Sequence, residues 1–125
     1  ATVMRAFPLA PNAGQYEEAR ALYDDTLTIL ARVMQPHDML VLTARNNRAL
    51  LEGRQGRYAE ALAELEDVLE AQMLTLGERH PETLATLGNV ASLMFQLGRI
   101  GECEELARRG AAVLVHGVHR RTILA

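Results

Sequence analysis

Apolar residues recur along this chain with the spacing of helices, not the alternation of strands. Residues 14–34 place Tyr16, Ala19, Tyr23, Leu27, Leu30 and Met34 on one stripe. Residues 57–76 do the same with Tyr58, Ala61, Leu65, Val68, Leu69, Met73 and Leu76, and residues 99–116 with Cys103, Ala107, Val113 and Leu114. Shorter helices are expected between them, over 38–54 and 81–97. Asp38 can accept from the free amides of a helix start, and Pro81, after His80, fits a first helical position where its missing N–H is not needed. Gly56, Gly77 and Gly98 stand where helices end and the chain must turn. Pro8 and Pro11 each remove a backbone donor and clash with the preceding turn, so residues 1–13 are expected to be irregular, with at most a short helical piece at 2–7.

The helical pattern is itself repeated. At an offset of 42 residues, Gly14-Gln15-Tyr16-Glu17-Glu18-Ala19 falls on Gly56-Arg57-Tyr58-Ala59-Glu60-Ala61 and then on Gly98-Arg99-Ile100-Gly101-Glu102-Cys103. The same offset lays Leu42, Asn47, Ala49 and Leu51 on Leu84, Asn89, Ala91 and Leu93. A fixed period of this length marks one supersecondary unit, here a helical hairpin, copied and stacked because a single copy cannot bury its apolar stripe. At the C-terminus, His119-Arg120-Arg121-Thr122-Ile123-Leu124-Ala125 echoes His80-Pro81-Glu82-Thr83-Leu84-Ala85-Thr86 at an offset of 39. Residues 118–125 are therefore expected to open a further repeat helix, after five full helices in an array over 14–117.

The residues that carry the period also carry a resemblance. The run from Leu76 to Ala91 (LGERHPETLATLGNVA), followed by Leu97-Gly98-Arg99, resembles the 42-residue tetratricopeptide repeat of kinesin light chain type. The copy from Asp38 through Gly77, with Asn46-Asn47, Ala49-Leu50-Leu51 and Gly56-Arg57-Tyr58-Ala59-Glu60-Ala61, is similar to the same pattern. The resemblance implies an all-α, right-handed superhelical solenoid of antiparallel helical hairpins. It also implies that asparagines on the first helix of each hairpin line a concave groove and grip bound peptide, a role that passes to Asn47 and Asn89.

The residue chemistry bears on that role. A helix centre does not favour asparagine, whose side chain competes with the backbone, while its amide both donates and accepts. Asn46 is the neighbour of Asn47, where the second copy has Gly88. Helical spacing puts Thr43, Leu50 and Arg54, then Ala85, Ser92 and Gln96, near the same wall. The candidate peptide-binding set is Asn46, Asn47, Leu50, Arg54, Asn89, Ser92 and Gln96. Arg54 is its only charge and favours an acidic or carboxylate-bearing ligand. The competing reading is that the asparagines only tie neighbouring helices together. Tyr16 and Tyr58 are read as packing rings, and Cys103, aligned with Ala19 and Ala61, as a small hydrophobe.

One stripe changes character between copies. Leu87, Val90 and Met94 are apolar, but the residues 42 earlier are Arg45, Arg48 and Glu52. A face that is charged in one copy and apolar in the next is expected to have lost its neighbour, so the 38–54 helix is read as a solvated end, with Arg48 and Glu52 pairing across one turn. The alternative is that Arg45 and Arg48 meet the acidic surface of a partner.

Composition narrows the function. The chain has 125 residues, 49% of them hydrophobic, with a net charge of −3, which suits one globular domain rather than a disordered or basic chain. All 13 basic residues are arginine, which fits either coding bias or bidentate contacts to carboxylates. No stretch is long and apolar enough for a membrane helix, and a single cysteine makes no internal disulfide. An intracellular, cytoplasmic setting is expected, with an organelle left open. The acidic balance disfavours nucleic acid. No glycine-rich phosphate loop and no pair of carboxylates across a cleft is present, so an enzyme is not expected, nor a cofactor. His116 and His119 have ligand-like spacing but no third ligand nearby, so no metal is expected. The expected role is an adaptor or scaffold whose concave groove takes an extended peptide or a helix of a protein partner. The alternative is a structural subunit packed by its helix edges, through further repeats or a homo-oligomer at the apolar C-terminal edge of Val113, Leu114, Val115, Val118, Ile123 and Leu124.

Overall fold

The computed structural model describes the backbone of residues 13–124 and the side chains of 14–112. These residues form five helices in succession: α1 (Ala13–Val33), α2 (Met39–Arg54), α3 (Tyr58–Thr75), α4 (Pro81–Gln96) and α5 (Ile100–Leu124). Each packs against the next in order, and α2 also touches α4, whereas the backbones of α3 and α5 do not approach one another. Two hairpins and a leading helix are thus stacked as an all-α repeat solenoid.

The boundaries follow the local chemistry. Asp38 caps α2 by accepting from the Leu40 N–H at 2.9 Å. His80 caps α4 by accepting from the Glu82 N–H through its Nδ1 at 3.1 Å, with Pro81 in the first turn. Gly56, Gly77 and Gly98 take φ of 85°, 90° and 77°, the left-handed backbone that ends a helix without strain only at glycine. The repeat extends to single hydrogen bonds. The Arg57 N–H closes on the Glu52 carbonyl at 3.1 Å, and 42 residues later the Arg99 N–H closes on the Met94 carbonyl at 2.8 Å.

The main core runs through α2 to α5 and contains Ala49, Ala61, Leu62, Leu65, Leu69, Leu87, Val90, Leu93, Met94 and Leu106. Leu42, Val68 and Ala71 make a second cluster between α2 and α3. Each fully buried leucine or valine contributes about 1.5–3 kcal/mol. Tyr58 and Cys103 pack against the main core, as expected for a ring and a small side chain between helices. In α5 the contact to the core is made by Leu106, while Ala107 is exposed.

Two sequence expectations are corrected here. The break expected near residue 118 is absent, because α5 continues through it to Leu124. His119 is followed by Arg120 where His80 is followed by Pro81, so the echo lacks the residue that favours a new helix start. The charged stripe on α2 is only partly open to solvent. It is paired across to both flanking helices, α1 and α3. The expected irregular segment at 1–13 lies almost entirely outside the described residues, as do the side chains of the C-terminal apolar edge.

Candidate peptide-binding cleft

The first helices of the two hairpins, α2 and α4, bound a cleft of about 270 Å³. Leu50, Gly53 and Arg54 line it from α2, Asn89, Ser92, Leu93 and Gln96 from α4, and Tyr58 from the start of α3. Five of the seven candidate residues therefore converge: Leu50, Arg54, Asn89, Ser92 and Gln96. Gly53 lets the helices close on each other here. A Cβ at that position would lie 3.1 Å from Leu93 Cδ2, tighter than normal packing. Ser92, Gln96 and Arg54 are exposed, and Arg54 forms no ion pair among the described residues.

The two asparagines singled out by the repeat are not used alike. Asn89 is half-buried on the cleft wall and donates through Nδ2 to Asn46 Oδ1 at 3.5 Å. Asn46 is buried and donates through its own Nδ2 to Thr86 Oγ1 at 3.0 Å, and that hydroxyl in turn donates to the Glu82 carbonyl. Asn46 thus belongs to a polar seam between α2 and α4 and does not line the cleft. Asn47 is exposed and also outside the cleft lining. One step along a helix turns a side chain by about 100°, which separates Asn46 and Asn47 onto different faces.

The opposite side of the array carries features that sequence reasoning missed. Between α1 and α3, over α2, Arg48 donates to Asp24 Oδ1 and to Glu64 Oε1, both at 3.0 Å, and Arg45 donates to the same Glu64 oxygen at 2.9 Å. Glu52 pairs with Arg20 at 3.4 Å and lies 4.0 Å from Arg57. The hydrogen bond from Arg45 holds the Glu64 carboxyl below the usual carboxylate range, against the opposing effect of its partial burial and with help from Arg48. Partial burial works against the charge on Arg48, but its bonds to Asp24 and Glu64 outweigh that and raise its pKa. The expected pairing of Arg48 with Glu52 along one helix is thus replaced by pairing between helices. A further trough, between α3 and α5 over α4, has a volume of about 530 Å³ and an apolar floor that includes Leu69, Met73, Val90, Met94 and Leu106.

With this geometry in hand, comparison with known proteins decides the family. The tetratricopeptide repeat family matches residues 12–73 and, in a second register, residues 40–114. The chain is a tetratricopeptide repeat protein. Its repeats are of the kinesin light chain type. The protein is similar to the nearly identical TPR-like repeats of a Podosopora anserina protein assigned as a kinesin light chain, at 27% identity and a TM-score of 0.74 over 82% of this chain. A single-substitution form of those repeats gives 26% identity and a TM-score of 0.72 over 85% of this chain. The tetratricopeptide chain spans about half the length of these structures, 48% and 50% respectively. None of the curated proteins matches it. Tetratricopeptide repeats are in general protein–protein interaction modules. No helix among the described residues is long and apolar enough to cross a membrane.

Proposed function

We propose that this tetratricopeptide chain is an adaptor module that holds an extended peptide of a partner in the α2–α4 cleft. The observation that carries the reading is the convergence of Leu50, Arg54, Asn89, Ser92 and Gln96 on one cleft. Such a surface supplies an apolar floor at Leu50 and Leu93, amides that both donate and accept, and one cation. Asn89 gives one N–H to Asn46, which leaves its carbonyl oxygen and its other N–H to pair with a peptide backbone. Arg54 selects for a carboxylate, either an acidic side chain or a C-terminus. Asn46 acts as a positioning residue, because its bonds to Thr86 and Asn89 set the orientation of the Asn89 amide. Asn47, exposed at the equivalent register, extends the polar surface along α2.

Selection of random peptides by display against the whole chain tests this reading. Peptides enriched on the wild type should carry an acidic residue or depend on a free C-terminus. They should bind at least about tenfold more weakly to an Asn89→Ala/Ser92→Ala variant, the loss of one or two hydrogen bonds. Arg54→Glu should remove the acidic preference. Enriched peptides indifferent to all three substitutions would contradict the reading.

A second reading has its own observation. Leu22, Ile29 and Val33 lie on one face of α1 and are 68%, 61% and 73% exposed. An apolar stripe of this kind fits a structural subunit packed by its helix edge. Concentration-dependent self-association that is lost in an Ile29→Lys variant would favour it.

A further inference from the structure

We infer that the trough between α3 and α5 is a second docking surface, distinct from the α2–α4 cleft, and that its occupant is a basic amphipathic helix of a partner protein. The equivalent space between α1 and α3 is smaller, about 310 Å³, and is lined by the chain's own ion-paired side chains, with Arg48 bridging Asp24 and Glu64. Forty-two residues later those positions are Val90, Glu66 and Leu106, and no ion pair among the described residues bridges the walls. An open space of about 530 Å³ is left over an apolar floor, within the range of specific ligand sites. Two of the floor residues, Met73 and Met94, have flexible thioether side chains that adapt to an inserted group.

The rim sets the charge of the occupant. Four carboxylates border the trough, those of Glu66, Glu70, Glu102 and Glu105, against the two guanidiniums of Arg99 and Arg109. Glu102 is paired with Arg99, and Glu105 with Arg108 at 2.6 Å. Glu66 and Glu70 sit four apart on α3 and make no close ion pair among the described residues, although Glu66 also feels the charge of Arg99 at longer range. Like charges at that spacing oppose each other, and lysine or arginine from a partner would relieve this. A space walled by two helices and floored by a third is shaped for the apolar face of another helix. The occupant therefore presents leucine-like side chains to the floor and cations to Glu66 and Glu70.

The test uses the whole chain and a synthetic probe. The probe is an amphipathic helix of about four turns with leucines at i, i+3, i+4 and i+7 and lysines on the flanking positions. Its controls carry glutamate for lysine or alanine for leucine. Gly101→Leu is the decisive variant. Gly101 lines the trough within α5, a Cβ there meets no atom within 4 Å, and leucine favours a helix more than glycine does. The variant should fold at least as well as the wild type and still fill the trough. The expected result is binding of the lysine probe that falls at least about tenfold with Gly101→Leu and with Glu66→Lys/Glu70→Lys, and that is unchanged by Asn89→Ala/Ser92→Ala. Equal binding of the lysine and glutamate probes, or binding indifferent to Gly101→Leu, would overturn the proposal. So would a dimer of the wild type that Gly101→Leu dissociates, since the occupant would then be a second copy. Because the cleft variant is a separate arm, failure of this site leaves the peptide cleft standing, and the converse also holds.

Discussion

Two troughs in this tetratricopeptide array share a backbone and differ in content. The first lies between α1 and α3, the second between α3 and α5, each floored by the intervening helix and separated by one period of 42 residues. In the first, Arg45, Arg48, Glu52 and Glu64 interlock with Arg20 and Asp24. In the second, the same four positions are Leu87, Val90, Met94 and Leu106. The packing of the hairpins therefore does not depend on either chemistry. Ion pairs bridge the first trough and leave a polar space of about 310 Å³, whereas apolar side chains leave about 530 Å³ in the second. A repeat that keeps its turns and small residues, such as Ala49 and Ala91 or Gly56 and Gly98, is free to vary what lies between them.

The largest effect is expected from moving the first chemistry into the second trough. Val90 is 1% exposed, and Val90→Arg places a guanidinium where Leu106 stands in for Glu64. Chemical denaturation should show a loss of about 3–5 kcal/mol, the cost of an incompletely paired buried charge. Adding Leu106→Glu should recover at least about 1 kcal/mol as a coupling energy. A double variant no better than the single would break the equivalence of the two troughs.

A smaller loss is expected from the first trough itself. Glu64→Gln leaves Arg45 and Arg48 without their shared carboxylate and should cost about 1–2 kcal/mol, less than a fully buried pair because all three side chains retain some solvent contact. Acid should act through the same group. The Glu64 carboxyl titrates lower in the folded chain than in the unfolded one, where it lies near about 4.3. Its contribution is complete above that value and is lost as pH falls through the lowered folded pKa. The Glu64→Gln variant should lose this part of the slope as pH falls below the unfolded value. An unchanged slope would show that Glu64 is not the titrating group.

Exchanging the three residues joined through Glu64 for those of the second trough is the converse experiment. Arg45→Leu/Arg48→Val/Glu64→Leu should leave stability within about 1 kcal/mol of the wild type or raise it, because well-packed apolar groups replace partly buried ion pairs without penalty. The smallest effect lies at another mismatch between the copies. Thr83 is fully buried and its hydroxyl has no hydrogen-bond partner among the described residues, while the residue 42 earlier is Val41. Thr83→Val should stabilise the chain by up to about 1 kcal/mol, read as a higher midpoint of unfolding.

How much of this is legible in the sequence depends on the range of the interaction. Helix ends are legible because their determinants are local, such as the Asp38 cap, Pro81 and the glycines at positive φ. The cleft is legible in most of its residues, because spacing along α2 and α4 places Leu50, Arg54, Asn89, Ser92 and Gln96 on one wall. The division between Asn46 and Asn47 is not, since it turns on one helical step and on the hydroxyl of Thr86 across the seam. The partners of Arg48 are also hidden. Glu52 is its neighbour along the helix, whereas Asp24 and Glu64 come near only when three helices stack. Spacing picks out Ala107 in place of Leu106 because apolar residues stand side by side along α5, at 106–107 and 111–115, and do not fix the phase of its stripe.

The measurement that tests the central claim most directly is an NMR titration of the labelled full chain with a peptide selected on it. The account predicts shifts centred on the side-chain amides of Asn89 and Gln96 and the backbone of Ser92, abolished by Asn89→Ala/Ser92→Ala while the fold is retained. Shifts confined to the outer face of α1, around Leu22, Ile29 and Val33, with the cleft silent, would contradict it.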